Sequence, residues 1–310
     1  MIVVENLTKK YGEITALDNV TLSIPENAIY AIVGPNGAGK TTFLKILCQL
    51  MDFESGSVRI ESGVRKNEFR KIMGYLPEQR GLYGGVDIAT QLRYFAAIRG
   101  VPSKESRTYI NYWLERFEIP EWKHRRISEL SKGMQQKVQI ISCLIGMPKL
   151  LFMDEPFSGV DPFNYRFFTE VLKEYCERVG ATVVMSTHNM KSVDSFCTDV
   201  AFMKEGRVTV AGGTAGVREQ FINDKLFDIV LLKNSKTSNA DFAKYVKSAA
   251  FFSVEQIIEE GDCLIITVSD KDEHNTACMV KRIVDYFKQY DVVSCGVKRP
   301  TMEEIFLEIS

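Results

Sequence analysis

The sequence predicts an α/β fold, in which a mixed sheet is joined by an antiparallel β layer and a helical subdomain, followed by a small α+β domain. The first observation is an apolar strand from Ile29 that turns at Gly34 into a glycine-rich loop and then a helical pattern. The second is a pair of further apolar strands, at 149–155 and 181–188, with a helical pattern between them. The third is a change of pattern near Lys225, which indicates a second domain.

Composition describes an ordinary globular chain. Of its 310 residues, 45% are hydrophobic and 25% charged, with 39 basic against 40 acidic side chains. Because there is no basic excess, we expect no nucleic-acid partner, and we interpret the short basic run 123–126 as a solvated connector. The seven cysteines are scattered, and none has C-x-x-C spacing. This pattern favours a reducing, cytoplasmic compartment and argues against a structural zinc site. We find neither a signal-peptide pattern at the start nor an apolar run near the roughly 18 residues that span a bilayer.

The glycine-rich loop fits the phosphate-binding pattern G-x-x-x-x-G-K-[ST]. Its fixed positions are filled by Gly34, Gly39, Lys40 and Thr41. Glycines let successive N–H groups point at phosphate oxygens, with the positive end of the following helix behind them. Lys40 is expected to reach the β- and γ-phosphates, and the Thr41 hydroxyl to ligate Mg²⁺. The alternative is a glycine-rich turn with an incidental lysine, and the strand and helix on either side argue against it.

The first 28 residues alternate apolar and polar side chains, which predicts an antiparallel β layer with one buried face. Tyr11 lies at the predicted turn of this layer. An exposed ring at that place could stack on a flat base, or it could simply end a strand. The residue alone does not decide between these two interpretations.

Helical patterns interrupt the α/β order and predict an inserted subdomain at about residues 85–147. The first begins at Asp87, a plausible N-cap, and the second carries an aromatic stripe that we interpret as core packing. Ser131 begins the third. Its hydroxyl, Gly133 and the unpaired N–H groups of a helix start form a second candidate anion site. This signal is weak by itself, since many helices begin in this way.

Two carboxylates end the next apolar strand. Asp154 and Glu155 follow KLLFM, at the strand end where ligands bind in open α/β sheets. We expect Asp154 to hold Mg²⁺, mostly through water, and Glu155 to orient and polarise the attacking water. His188 ends a later strand at the same edge and could contact the γ-phosphate. Solvated loop acids and a structural histidine are the alternatives.

Taken in order, the phosphate loop, LSKGM, FMDEP, SGVD and STH resemble the motifs of ATP-binding-cassette (ABC) transporter subunits over about residues 1–215. The resemblance implies that Tyr11 stacks on adenine and that Ser131 and Gly133 belong to the signature sequence. It implies that Asp154, Glu155 and His188 are the magnesium-site aspartate, the catalytic glutamate and the switch histidine. Asp161 matches the dimer-contact loop. The residues that match the phosphate loop are Gly34, Pro35, Asn36, Gly37, Ala38, Gly39, Lys40, Thr41 and Thr42.

Two positions depart from the family pattern. Lys132 and Met134 stand where the usual signature LSGGQ has glycine and glutamine, so the local loop is less permissive, although the serine and second glycine remain. The family also places a glutamine that senses the metal after a strand-end proline. Here Glu78 follows Pro77 directly and Gln79 comes one position later. We align Glu78 to the sensor and count it among the expected metal ligands, with Gln79 as the alternative.

The resemblance implies an enzyme that binds ATP and Mg²⁺ and hydrolyses ATP. In the family, two cassettes pair head to tail, as a homodimer or with a second cassette, and ATP lies between the phosphate loop of one and Ser131 of the other. It also implies a peripheral place on the inner face of the cell membrane, through membrane-spanning permease subunits. The chain ending resembles those of bacterial exporters, so export is expected. The alternative is a soluble, non-transport ATPase that acts on ribosomes or as an assembly scaffold.

The predicted domains are an ATP-binding domain at 1–217 and an accessory domain at 225–310. The second has the order β-α-β-β-α-β, which predicts a ferredoxin-like layer, with helices from about Asn239 and near Glu273. It holds no phosphate loop or catalytic motif, and its role is regulatory, dimerising or purely structural. The last residues, TMEEIFLEIS, predict an amphipathic helix.

Overall fold

A computed structural model describes residues 1–61, 69–79, 81–223, 225–234, 240–271 and 275–309 of the chain. The chain divides into two compact units, of which the first holds Met1–Val217 and the chain end from Phe306, and the second Arg218–Ile305. Each unit buries an apolar core of its own. Within the described ranges we find no helix with the length and apolar character needed to cross a bilayer.

Nine strands of the first unit form two sheets, as the alternating and the continuous apolar patterns predict. A three-stranded antiparallel sheet has the order β2-β1-β4, and a six-stranded sheet has the order β5-β6-β7-β3-β8-β9, with only β9 antiparallel. The mixed sheet and the antiparallel layer are therefore confirmed. The strands are β1 (Ile2–Tyr11), β2 (Ile14–Ile24), β3 (Ile29–Val33), β4 (Ser55–Ile60), β5 (Met73–Leu76), β6 (Leu150–Asp154), β7 (Thr182–Thr187), β8 (Asp199–Lys204) and β9 (Arg207–Gly213).

The parallel strands at the centre of the six-stranded sheet are fully buried. Every residue of β3, β6 and β7 is buried, which is why these segments are largely continuous apolar runs rather than alternating ones. In a parallel pair the carboxyl ends lie at the same edge. The register places Val33 beside Thr187 and Asp154 beside Ser186, so the segments that follow β3, β6 and β7 emerge together.

Helices of the first unit pack on these sheets or form the inserted subdomain. The helix α3 begins at the N-cap Asp87, whose carboxylate accepts the N–H of Thr90 at 2.7 Å, as predicted. The aromatic stripe is core, with Trp113 and Phe117 almost fully buried. The helices are α1 (Lys40–Leu47), α2 (Phe69–Ile72), α3 (Ile88–Ile98), α4 (Ser103–Arg116), α5 (Lys132–Leu144), α6 (Pro162–Val179) and α7 (Met190–Phe196). The helix α8 (Thr214–Gln220) contains the residue, Val217, at which the chain passes from the first unit to the second.

The basic run 123–126 supports the subdomain through its backbone. The carbonyl of Arg125 accepts the N–H of Ile88, and the carbonyl of Lys123 accepts the N–H of Ala89, so two otherwise unpaired donors at the start of α3 are satisfied. The side chains of His124, Arg125 and Arg126 are exposed. These contacts fit the predicted solvated connector.

The second unit has four antiparallel strands in the order β11-β12-β10-β13, with the predicted chain order β-α-β-β-α-β. One face of the sheet packs on two helices around a core that includes Phe227, Ile266 and Ile283. The expected helix starts at Asn239 and Glu273 lie outside the described residues. The elements are β10 (Leu226–Leu232), α9 (Ala240–Lys247), β11 (Phe252–Glu260), β12 (Cys263–Asp270), α10 (Thr276–Phe287) and β13 (Val292–Val297), followed by α11 (Met302–Ile309).

Candidate functional site

Two glycines of the phosphate loop, Gly34 and Gly39, have no room for a side chain. A Cβ at Gly34 would lie 2.2 Å from the carbonyl oxygen of Met203, and one at Gly39 would lie 2.5 Å from that of Ala16. Gly39 also has φ +100°, a left-handed conformation that side chains rarely adopt, and it begins α1. The loop after β3 is therefore a backbone cradle that leads directly into a helix N-terminus, which suits a phosphate chain.

Lys40 is buried at the bottom of this cradle, with only 7% of its surface exposed. Its ammonium donates to the carbonyl oxygens of Gly34 at 2.7 Å and Pro35 at 3.0 Å. Burial lowers the pKa of Lys40, while the negative charges of Glu155, Asp154 and Glu78 raise it and partly offset that effect. The ammonium group of Lys40 thus lies close enough to three carboxylates of the predicted site for their charges to stabilise its protonated form.

Glu155 lies at the point where the predicted catalytic groups meet. Its Oε1 is 2.9 Å from Nδ1 of His188 and 4.0 Å from Nζ of Lys40. Since an ionised carboxylate only accepts hydrogen bonds, this contact places a proton on Nδ1 and directs Nε2 elsewhere. The carboxyl side chain is 11% exposed and the imidazole 59%. The register of β3, β6 and β7 therefore brings together three residues that are far apart in sequence.

Asp154 is a buried carboxylate, 1% exposed. Its Oδ1 accepts a hydrogen bond from the hydroxyl of Ser186 at 2.6 Å, and the same hydroxyl accepts the N–H of Glu155 at 2.9 Å. The sequence analysis did not select Ser186. The signal that was available is its place two residues before His188, on the strand that pairs with Asp154.

Gly206 is a second residue that the sequence analysis missed. It turns β8 into β9 with φ +77°, and its N–H donates to the carbonyl of Ala38 in the phosphate loop at 3.1 Å. A Cβ at this position would lie 2.8 Å from the carbonyl oxygen of Ala16. The hairpin turn between β8 and β9 thus supports the phosphate loop through a hydrogen bond from Gly206 to Ala38. No pattern in the sequence relates these two residues.

We predict that Gly206→Ala weakens ATP binding several-fold and destabilises the fold by about 1–3 kcal/mol, because the new Cβ strains both the turn and its contact with the loop. Gly261→Ala is the matched control, since Gly261 has φ +56° and no atom within 4 Å of its Cβ position. Thermal unfolding and equilibrium ATP binding check both variants. If both variants bind ATP as the wild type does, the turn does not support the loop.

Tyr11 ends β1 with its ring 47% exposed. Its hydroxyl contacts Sδ of Met51 at 2.9 Å, and Nζ of Lys9 lies 5.5 Å from the ring centroid. Lys9 in turn pairs with Glu54 at 3.0 Å. The ring is therefore fixed along one edge by its hydroxyl while its surface stays accessible, which suits stacking.

The loop after β5 exposes both sensor candidates, Glu78 and Gln79. Nε2 of Gln139 on α5 donates to the carbonyl of Pro77 at 2.8 Å, so this loop is tied to the helical subdomain. Of the two, only Glu78 carries a charge, and that charge raises the pKa of Lys40 less than those of Glu155 and Asp154 do. Thr41 and Thr42 are half-buried in the first turn of α1.

Ser131 is the N-cap of α5, as predicted, and its Oγ accepts the N–H of Met134 at 3.3 Å. Ser131, Lys132 and Gly133 are all exposed, and no atom lies within 4 Å of a Cβ placed on Gly133. The replacements at 132 and 134 therefore leave the helix start open to a ligand. Lys132 and Met134 belong to the regular helix α5, although Lys132 replaces the first glycine of the usual signature.

Asp161 caps the other exposed helix start near the site. Its carboxylate accepts the N–H groups of Phe163 and Asn164, and its second oxygen accepts the side-chain amide of Asn164 at 2.7 Å. These bonds lower the pKa of Asp161, the side-chain amide most strongly. Its carboxylate thus fixes the first turn of α6, in which Phe163 is 82% exposed.

Comparison with known proteins agrees with this geometry. Residues 17–158 match the family model described as ABC transporter. The lantibiotic transport ATP-binding protein SrtF of Streptococcus pyogenes is 32% identical over 232 residues, which are 74% of this chain and 99% of that protein. The chain belongs to the ATP-binding subunits of ABC transporters.

Two further similarities extend beyond the family assignment. The uncharacterized ABC transporter ATP-binding protein YhaQ of Bacillus subtilis is 29% identical over 99% of this ABC subunit and 98% of its own length, so the match includes the second unit. The dimeric ATP-binding cassette MJ0796, solved in a post-hydrolysis state with ADP and Pi, matches with a TM-score of 0.61 and 28% identity, over 69% of this chain and 98% of that one. The ABC subunit is accordingly an ATPase with the P-loop cassette fold.

Proposed function

We propose that this ABC subunit hydrolyses ATP with Glu155 as the catalytic carboxylate and His188 as its partner at the γ-phosphate. The observation that carries the proposal is the meeting of Glu155, His188 and Lys40 within 4.0 Å contacts at the edge of the sheet. The phosphates are bound by the loop 34–42, with adenine on the exposed ring of Tyr11. Glu155 orients the attacking water, and His188, held by Glu155, presents its imidazole to the γ-phosphate. Replacing Glu155 by glutamine tests this proposal, as described in the Discussion.

We infer that Mg²⁺ is the metal of this site. A buried carboxylate on Asp154, the hydroxyl of Thr41 and the exposed carboxylate of Glu78 are the oxygen donors that this ion prefers. When bound, Mg²⁺ neutralises charge on the phosphates and orients them. Asp154 is suited to the role because one of its oxygens is already fixed by Ser186, so that the carboxylate does not rotate.

We propose that two cassettes combine head to tail, so that Ser131 and Gly133 of one complete the ATP site of the other. The support is the open N-terminus of α5, where Ser131, Lys132 and Gly133 are exposed and no atom lies within 4 Å of a Cβ placed on Gly133. Asp161 and the exposed Phe163 belong to the same contact. Whether the second cassette is a copy of this chain or a different one is decided by ATP-dependent sizing of the chain alone.

We propose that the hydrolysis energises export through separate membrane-spanning subunits. The relative SrtF is named for lantibiotic transport, which supports the coupling of hydrolysis to transport. The docking surface we propose is a groove between the sheet and α3, with a volume of about 700 Å³. Its lining is mostly apolar and includes two arginines, Arg70 and Arg99. The groove is formed by Cys48, Gln49, Leu50, Phe69, Arg70, Met73, Tyr75, Phe95, Ile98 and Arg99.

Arg99 connects this groove to the second half of the ATP site. Its guanidinium donates to the carbonyl oxygens of Cys143 and Ile145, each at 2.8 Å, at the end of α5. The opposite end of that helix is capped by Ser131. A helix seated in the groove therefore contacts the residue that holds α5, and the contact is a direct route from the membrane partner to the signature sequence.

We predict that Arg70→Glu lowers recruitment of the purified chain to membranes of the source organism at least several-fold, because Arg70 is exposed in the groove and takes part in no predicted phosphate contact. ATP affinity should stay within twofold. The control is Arg59→Glu, a second exposed arginine, which lies on β4 and pairs with Glu5. Membrane flotation measures recruitment, and equal recruitment of all three proteins would exclude this groove as the docking surface.

We also propose that residues 1–217 are the ATP-binding domain and 225–310 an accessory domain. The separation of contacts into two units, each with its own core, supports this division.

A further inference from the structure

Ser186 is completely buried near the end of β7, directly beside Asp154 on β6. A hydroxyl has one proton to donate and lone pairs to accept with. Because the carboxylate of Asp154 is the acceptor at 2.6 Å, the single proton of Ser186 points there. A lone pair is then left for the N–H of Glu155 at 2.9 Å. One hydroxyl therefore bridges two consecutive residues of the site.

The second of these bonds anchors an unusual backbone. Glu155 has φ +48°, in the left-handed region that a residue with a long side chain rarely adopts. The conformation turns the chain sharply after β6 and directs the side chain of Glu155 toward Lys40 and His188. Removal of the hydroxyl would leave a partly buried N–H and a buried carboxylate oxygen without this partner, and the turn would lose its anchor.

From this geometry we infer that Ser186 is a positioning residue for both carboxylates, which fixes the orientation of Asp154 toward the metal and of Glu155 toward the attacking water. The inference rests on the roles proposed above for Asp154 and Glu155. It predicts two separate effects of losing the hydroxyl. One is a weaker contribution of Mg²⁺ to ATP binding, through Asp154, and the other is slower hydrolysis, through Glu155.

The test compares Ser186→Ala with Thr182→Val in the full chain. Thr182 begins the same strand, is 5% exposed, and its hydroxyl accepts the N–H of Asn27 at 2.9 Å, so the control removes a similar buried hydroxyl at the far end of β7. For each protein we would measure the ATP dissociation constant in EDTA and in Mg²⁺, then kcat from phosphate release, and the melting temperature. Ser186→Thr keeps the hydroxyl and tests rescue. Ser186→Cys, with its weak donor, replaces the alanine variant if that variant does not fold.

We expect Ser186→Ala to lower kcat at least tenfold and to reduce the Mg²⁺-dependent gain in ATP affinity several-fold, while affinity in EDTA stays within twofold. Ser186→Thr should restore most of kcat and of the Mg²⁺-dependent gain in ATP affinity. Thr182→Val should keep both quantities at the wild-type level, although its melting temperature falls about as much as that of Ser186→Ala. Wild-type values for Ser186→Ala, or equal losses in Thr182→Val, would overturn the inference. A failure of the catalytic role proposed for Glu155 can be told apart from a failure of this inference, because it would appear as undiminished ATP turnover in Glu155→Gln.

Discussion

Glu155→Gln is expected to lower ATP turnover by about 100-fold or more, because an amide cannot polarise the attacking water as a carboxylate does. The substitution keeps the size of the side chain and the backbone N–H that Ser186 accepts. Binding should therefore persist. The chain is expected to retain ATP and to accumulate as a nucleotide-locked dimer, since hydrolysis no longer releases the two halves of the shared site.

Phosphate release gives the turnover, and size-exclusion chromatography with ATP gives the dimer. Glu170→Gln is the control, because Glu170 lies on the exposed face of α6 in an i,i+4 pair with Arg166 and should leave both measurements unchanged. Normal ATP turnover in Glu155→Gln would contradict the proposal that Glu155 is the catalytic carboxylate. An ATP-bound variant that stays monomeric at every concentration would contradict the shared site, because ATP would then not join two copies of this chain.

Lys40→Met is expected to weaken ATP binding by about 10- to 100-fold, which corresponds to about 1.4–2.8 kcal/mol and is the range of hydrogen bonds to charged groups. Methionine has a similar length but no donor, so the phosphates lose the cation at the bottom of the cradle. The carbonyl oxygens of Gly34 and Pro35 lose their donor as well. A modest loss of stability should therefore accompany the loss of affinity.

The measurement for this variant is the shift in melting temperature as ATP is added, which depends on the dissociation constant. Lys45→Met is the control, since Lys45 lies in the last turn of the same helix, away from the loop. The two variants should have the same helix content. If ATP stabilises Lys40→Met and the wild type equally, then Lys40 is not a phosphate ligand in this chain.

The order of the elements in the first unit could be predicted from local patterns. Continuous apolar runs identified the buried strands β3, β6 and β7, and the capping residues Asp87 and Ser131 identified two helix starts, because both kinds of signal depend on neighbours in sequence. The site residues Lys40, Asp154, Glu155 and His188 could also be named in advance, since each lies at the end of one of these strands or in the segment that follows it. The family resemblance then supplied their roles.

Contacts across the sheet could not be predicted in this way. Ser186 acts through its register with Asp154, and Gly206 acts through a hydrogen bond to Ala38, so each depends on which strands are neighbours rather than on any local pattern. Arg99 is a third example, because its role at the end of α5 requires the packing of two helices. No local sequence pattern marks Ser186, Gly206 or Arg99 as part of the site or its support.

The sequence by itself determined that the chain has a phosphate-binding loop and an acidic strand end, because a loop with Gly34, Gly39 and Lys40 follows from spacing and residue type alone. Tertiary structure decided how these parts become one site. The parallel register brought Glu155 within 2.9 Å of His188 and 4.0 Å of Lys40, and it buried Ser186 between Asp154 and the backbone of Glu155. The physical reason is that the conformation of a loop is set locally, whereas the position of a carboxylate relative to a cation is set by the packing of separate strands.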